Sequence, residues 1–344
     1  MLSKQDNDVL CRVGQGTPMG DLMRQYWLPA FLSSELPTEC WPRRVRLLGE
    51  DLIAFRDDEG RVRVIDENCP HRGSSMLFGR NEEAGIRCAY HGWKFDVTGA
   101  CVDMPSEAAE NGFKYKVTIK AYTTRERNGI VWVYLGPRQE SPPPLPELEV
   151  NLDCGPREPG EPYKYVRQCN WAQALEGDVD RVHVPFLHSR VKPGEFARDG
   201  KYSEIARLER VVAERNPYLD VVETPYGFFT GARHEVDEAH DHWGIYQFIM
   251  PFYSMVRGYG GKVWMPIDDN NTLVMEWKPA RPLGMPRDHD DETQTRQPWG
   301  YKQDDLTVPW GNWRLKADVE NEWLRDRSRE RDVATGVHYV GIPL

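Results

Sequence analysis

Four residues of this 344-residue chain stand out by type and spacing. Cys69 and His71 form a Cys-x-His pair; after sixteen intervening residues, Cys88 and His91 form a Cys-x-x-His pair. Each pair joins a soft thiolate to an imidazole. Both spacings are short enough for two adjacent loops to grip one inorganic centre, and Gly73 and Gly92 supply the backbone freedom tight loops need. A two-iron, two-sulfur cluster fits this donor set, with two Cys on one iron and two His on the other. Imidazole in place of thiolate raises the reduction potential. Zinc also accepts two Cys and two His. Its common finger pattern pairs Cys with Cys and His with His along the chain, whereas both halves here are mixed.

A second constellation lies within residues 170–188, NWAQALEGDVDRVHVPFLH, where two histidines follow Asp180 at offsets of three and eight. Asp180 and His183 share one face of a helix expected over 170–183. Pro185 disturbs that helix and lets His188 turn back toward the same point. Two histidines and one carboxylate with open positions make the facial triad of non-heme Fe(II) oxygenases. Taken alone, an amphipathic helix with surface histidines explains the stretch equally well. Beside a centre that stores electrons, a site that receives them is the better reading.

The stretches CPHRGSSMLFGR and CAYHGWKFDVTG resemble the Rieske domain of bacterial ring-hydroxylating oxygenases, terminal oxygenase component. The likeness extends from CRVGQGTPMGDLMRQYWLPA onward and is greatest to the phthalate 4,5-dioxygenase-like group, which includes vanillate demethylase and related monooxygenases. The resemblance implies a [2Fe-2S] cluster on Cys69, His71, Cys88 and His91, and a mononuclear Fe(II) on His183 and His188. It implies that Asp180 bridges His91 of a neighbouring subunit to His183, with Asn170 near the mononuclear iron. Relatives place an Asp in a late helix within Asn-Asp-aromatic-Leu-x-Asp-Arg; this chain reads NEWLRDR from Asn321, so Glu322 takes that position, with Asp318 and Asp326 as alternatives. The chain ends at Leu344, soon after this segment, where relatives continue for a substantial stretch that closes the pocket.

The implied reaction is reductive activation of O2 against a bound aromatic substrate. Electrons enter from a separate NAD(P)H-dependent flavin or iron–sulfur reductase, because this chain has no Gly-rich dinucleotide fingerprint. They pass to the cluster and across Asp180 to the mononuclear iron. The product is a cis-dihydrodiol, a phenol, or an aldehyde released by O-demethylation. The expected assembly is a homotrimer or stacked trimers.

The elements that must position these groups fall into two domains. Residues 43–66 alternate apolar and polar and read as strands broken at 49–51 and 57–60; short strands follow at 86–88 and 93–95, and a buried one at 129–135. Residues 17–30 read as a short helix ending near Pro29. An all-β domain over 1–140 is therefore expected. SPPPLPELE from Ser141 excludes helix and marks a linker over 141–150. Beyond it, 151–344 reads as α+β: a helix at 170–183, strands at 205–213, 219–224, 226–232, 244–250 and 272–278, a polar loop over 285–309 and a charged helix at 313–331.

Composition narrows the partners. The net charge of −10 argues against nucleic acid, which needs a basic footprint. No apolar run reaches the ~18 residues that span a bilayer, and the start lacks a signal-peptide pattern, so a cytoplasmic protein is expected. Seven scattered cysteines do not suggest a disulfide framework. Arg207, Arg210 and Arg233 could hold an aromatic carboxylate by bidentate pairing, although surface ion pairs are the better reading of any one of them. Phe228, Phe229, Phe248, Met250, Phe252 and Ile205 are pocket candidates, although residues at such alternating positions are more often plain core. His234, His240 and His242 read as a polar loop. Two other classes stay open: a Rieske electron carrier with an inert second domain, and a zinc-binding structural protein.

Overall fold

The computed structural model describes residues 2–38, 40–148, 157–158, 163–183, 210–211, 213–256, 260–277, 281–282 and 313–324. Two short helices open the chain. Ser3 caps α1 (Lys4–Cys11), and Thr17 caps α2 (Pro18–Met23), whose first turn carries Pro18. The helix expected over 17–30 stops at Met23, and Trp27–Leu32 forms strand β1 instead. Pro29 excludes helix there and is tolerated because β1 is a sheet edge.

The alternating run then yields β2 (Arg43–Leu47), β3 (Glu50–Arg56) and β4 (Val62–Asp66), with turns where the sequence places them. A four-stranded meander follows: β5 (Arg80–Glu82), β6 (Gly85–Arg87), β7 (Lys94–Asp96) and β8 (Cys101–Asp103). β9 (Ala121–Arg127) and β10 (Ile130–Tyr134) complete a six-stranded antiparallel sheet in the order β1-β10-β9-β4-β3-β2. β10 is buried along its whole length, as its IVWVY sequence predicts. A core of Ile53, Phe55, Ile65, Ile86, Phe95 and Ile119 packs around Cys69 and Cys88.

The chain divides into two compact units. The first comprises 1–171, 265–285 and 302–314, and it contains the Pro-rich stretch from Ser141. The second comprises 172–264, 286–301 and 315–344. Within the first unit, β11 (Arg157–Glu158) pairs with a late strand, as does β12 (Tyr163–Arg167). Helix α3 (Trp171–Val179) follows. The second unit is an antiparallel meander: β13 (Tyr218–Thr224), β14 (Gly227–Asp237), β15 (His240–Ile249), β16 (Tyr253–Val256) and β17 (Gly260–Pro266). β18 (Thr272–Trp277) is the partner of β12, and β19 (Arg281–Pro282) that of β11. Among the described residues no helix is long and apolar enough to cross a membrane.

Two further expectations fail. Arg210, Val211 and Ala213, at the end of the stretch read as a strand, are helical. The charged helix expected over 313–331 does not form in its described part. Val319–Leu324 is a 3-10 segment in which Glu322 and Trp323 have φ of 49° and 55°. Local side-chain bonds explain this. Asp318 accepts the N–H groups of Glu320 and Asn321, while the Asn321 side chain accepts from the Asp318 and Leu324 N–H groups and donates to the Lys316 carbonyl. Such bonds offer the backbone an alternative to helix. Asp318 and Glu322 therefore do not share a helix face. The loop expected over 285–309 lies outside the described residues.

Candidate metal centres

The two Cys–His loops are built on one plan. The Cys69 N–H donates to the Ser74 carbonyl at 2.9 Å, and the Gly73 N–H returns to the Cys69 carbonyl at 2.9 Å. The Cys88 N–H donates to the Trp93 carbonyl at 2.9 Å, and the Gly92 N–H returns to the Cys88 carbonyl at 3.1 Å. The glycine four residues after each cysteine is left-handed, with φ of 70° at Gly73 and 74° at Gly92, a conformation that side chains with a Cβ resist.

This plan sorts the four donors like with like. The thiols of Cys69 and Cys88 are both 3% exposed and lie close enough for each to shift the titration of the other. Their mutual interaction pushes Cys69 up and holds Cys88 down; burial opposes the shift at Cys88, and the Tyr90 and His91 N–H groups support it. The His71 and His91 rings meet edge-on, with centroids 4.5 Å apart. Trp93 stacks on His71 at 4.4 Å and 9°, and its own N–H donates to Ser106 at 3.0 Å. The His71 Nδ1 is buried and has no hydrogen-bond partner, as expected of an atom reserved for a metal. A thiol pair beside an imidazole pair, with an orphaned ring nitrogen, fits a two-iron cluster. Among the described residues, no three His, Cys, Asp or Glu side chains converge as ligands of a single ion.

Neighbouring charges brace both loops. Glu67 accepts from Arg44 at 2.9 Å and from the Ser75 hydroxyl at 2.7 Å. Arg87 donates to Glu82 at 2.6 Å, to Asp103 at 2.8 Å and to the Gly92 carbonyl at 2.5 Å. Sequence reasoning missed this arginine, although its position directly before Cys88 was a signal.

The second constellation sits at the end of α3. Asp180 lies just beyond the helix, where its carboxylate accepts the Val182 N–H at 2.8 Å and the His183 N–H at 3.2 Å. Its Oδ2 stands 2.9 Å from the His183 Nδ1. The two residues meet as expected, through a turn rather than along a helix face. Burial pushes Asp180 up, but the hydrogen bonds from Val182 and His183 outweigh it and hold the carboxyl below its ordinary value. Asp178, which sequence reasoning missed, anchors the helix. It accepts from the Ser254 hydroxyl, from Lys262 at 3.0 Å and from the Trp264 indole at 3.4 Å.

Asn170 directly precedes α3, and its amide donates to the Cys11 and Asp269 carbonyls at 3.0 and 2.9 Å. Glu322 is exposed on its left-handed turn. Arg233 is 48% exposed, near Asp241 and over the Tyr218 ring. Arg210 is helical, while His188, Arg207, Ile205 and Asp326 lie outside the described residues. His240 is exposed, but His234 is buried on β14, not in a solvated loop.

Comparison with known proteins agrees with this geometry. A Rieske [2Fe-2S] domain model matches residues 26–123, and a model described as LigXa C-terminal domain like matches residues 134–343. The 3-chlorobenzoate-3,4-dioxygenase oxygenase subunit of Comamonas testosteroni is 38% identical, over 96% of this chain and 77% of its own. The phthalate 4,5-dioxygenase oxygenase subunit of Pseudomonas putida is 38% identical, over 86% and 67%. The 5,5'-dehydrodivanillate O-demethylase oxygenase subunit of Sphingobium sp. (strain NBRC 103272 / SYK-6) is 34% identical, over 96% and 72%. The terminal oxygenase of carbazole 1,9a-dioxygenase from Novosphingobium sp. KA1 shares the fold, with a TM-score of 0.56 at 19% identity over 84% of this chain and 78% of that one. The chain belongs to the Rieske non-heme iron oxygenases, as a terminal oxygenase component carrying a [2Fe-2S] cluster and a mononuclear iron.

Proposed function

We propose that this oxygenase hydroxylates, dihydroxylates or O-demethylates an aromatic carboxylate in the cytoplasm, drawing electrons from a separate NAD(P)H-dependent reductase. Relatives named for chlorobenzoate, phthalate and dehydrodivanillate support that substrate class. In this reading residues 1–140 store the electron, 141–150 link, and 151–344 carry the reaction. Cys69 and Cys88 hold one cluster iron, and His71 and His91 the other. His183, His188 and Glu322 hold the mononuclear iron, with Asn170 nearby. When bound, these centres would deliver electrons one at a time for the two-electron reductive activation of O2 beside the substrate.

The observation that carries the reading is the 2.9 Å contact between Asp180 Oδ2 and His183 Nδ1. The carboxylate holds the proton on Nδ1 and turns Nε2 outward as the coordinating atom. Its backbone bonds fix its own orientation, so His183 is aimed before any metal arrives. In a homotrimer Asp180 would also reach His91 of a neighbouring copy. Iron analysis with product analysis over a panel of aromatic acids, using a surrogate reductase, tests this. Three irons per chain and an oxygenated product are expected. Two irons and no product would leave an electron carrier.

A further inference from the structure

One cation beside the proposed iron site is buried and, among the described residues, has no counter-charge within ion-pair distance. Arg181 follows Asp180 directly, yet is only 6% exposed. Its Nε is buried and makes no hydrogen bond, and among the described residues it forms no ion pair. The guanidinium lies over the Tyr246 ring, 3.8 Å from its centroid. It also packs against Gly244, where an added Cβ would stand 2.2 Å from Nη2. The missing side chain at 244 makes the room. A guanidinium taken out of water is costly unless it is paired, and a ring face offsets only part of that cost.

A second unsatisfied group lies on the same face. In the β14–β15 ladder His234 pairs with His242, and Ala232 with Gly244, so His234 and Gly244 sit on adjacent rungs of one sheet face. His234 is 2% exposed, and its Nε2 is buried without a partner. Its Nδ1 stands 2.8 Å from Glu214 Oε2. Burial, and then the charges of Arg181 and Arg210, hold the imidazole below its ordinary value despite Glu214. It is therefore neutral near pH 7, with Nδ1–H donating to Glu214 and Nε2 left as an acceptor. Along the same face, Phe228 and Phe248 touch at a centroid distance of 5.0 Å. The face thus runs from aromatic to polar, and its polar end carries the buried His234 Nε2 acceptor with the buried Arg181 Nε donor packed against Gly244.

We propose that Arg181 binds the substrate's carboxylate through two charge-assisted hydrogen bonds, and that His234 accepts a hydrogen bond from a hydroxyl on the same ring. This assignment rests on the aromatic-acid reading above and narrows it to hydroxylated aromatic acids. It replaces Arg233, which the alternation of β14 turns to the exposed face.

Calorimetric binding to the full chain, without turnover, tests it with three probes: benzoate, 3-hydroxybenzoate and benzamide. Benzoate is expected to bind about 10- to 100-fold tighter than neutral benzamide, the worth of charge-assisted bonds. Arg181→Met should erase that preference and leave benzamide binding unchanged, with Arg181→Lys between. His234→Leu should remove only the extra affinity of 3-hydroxybenzoate. The melting temperature of Arg181→Met should match or exceed that of the unliganded parent, because an unpaired buried charge is gone. A structural ion pair would lower it. Equal binding of benzoate and benzamide, no benzoate binding, or a loss in Arg181→Met shared by both probes would each overturn the assignment. If Arg181→Met does not fold, the Lys variant and the amide comparison still decide. Turnover of neutral aromatics without a carboxylate preference would sink the Arg181 role and leave the oxygenase reading intact. Carboxylate preference in a chain that oxidises nothing would do the reverse.

Discussion

The Asp180 carboxylate and the His183 imidazole meet at 2.9 Å just past the end of α3, and the same carboxylate accepts two backbone N–H groups. One side chain thus sets the turn, the ring orientation and the tautomer together. Asp180→Asn keeps the shape but substitutes an NH2 for one acceptor oxygen. It should retain both metals and slow single turnover by about 10- to 100-fold, as loss of a ligand's orienting partner does. Rapid mixing of chemically reduced protein with O2 and substrate measures this; full-speed turnover would refute the role.

The stack of Trp93 on His71 and the buried, unpartnered Nδ1 of that ring support the proposed role of His71 as a cluster ligand. His71→Ala should abolish the Rieske visible bands and the EPR signal of the reduced state while sparing mononuclear iron. His183→Ala should give the opposite pattern. Loss of both centres from either variant would show that the two sites are not separable.

Arg87 ties β6, β8 and the second loop together through Glu82, Asp103 and the Gly92 carbonyl. The Arg87 hydrogen bonds hold both carboxyls below their ordinary values, against the opposing effect of burial. A lowered folded-state pKa stabilises above the unfolded value and is lost as pH falls through the folded one. Thermal stability should therefore decline below about pH 4. Arg87→Met should flatten that decline and release the cluster faster to a chelator. A parallel pH profile in the variant would exclude the coupling.

Asp178 receives Ser254, Lys262 and Trp264 at one nearly buried carboxylate. Asp178→Ala leaves those donors unpaired and should cost about 2 to 3 kcal/mol, read as a fall in denaturation midpoint. Occupancy of the mononuclear site should fall with it, because α3 loses its tie to β16 and β17. An unchanged midpoint would mean that packing alone holds the helix.

The sequence by itself determined the donor set and the local contacts. Cys-x-His, Cys-x-x-His and the step from Asp180 to His183 span a few residues, so the chain's own geometry limits where those groups can go. Strands β2 to β4 were equally legible, since a period of two leaves little choice of face. The late segment was less so: its charged pattern suits a helix, but Asp318 and Asn321 compete for the backbone and turn Glu322 into a left-handed bend.

Tertiary structure alone decided the pairing and the burial. Each loop brings one Cys and one His, and only the docking of two matched loops places thiol beside thiol and ring beside ring. Arg181 looks like any solvated arginine until Gly244 and Tyr246, more than sixty residues later in the sequence, enclose it. His234 reads as a loop residue until β14 and β15 pair and separate it from exposed Arg233. Desolvation is a property of what surrounds a group, and those surroundings come from residues distant in the chain. The cluster could therefore be inferred from spacing, whereas the unpaired cation beside the proposed iron site could be seen only in the folded protein.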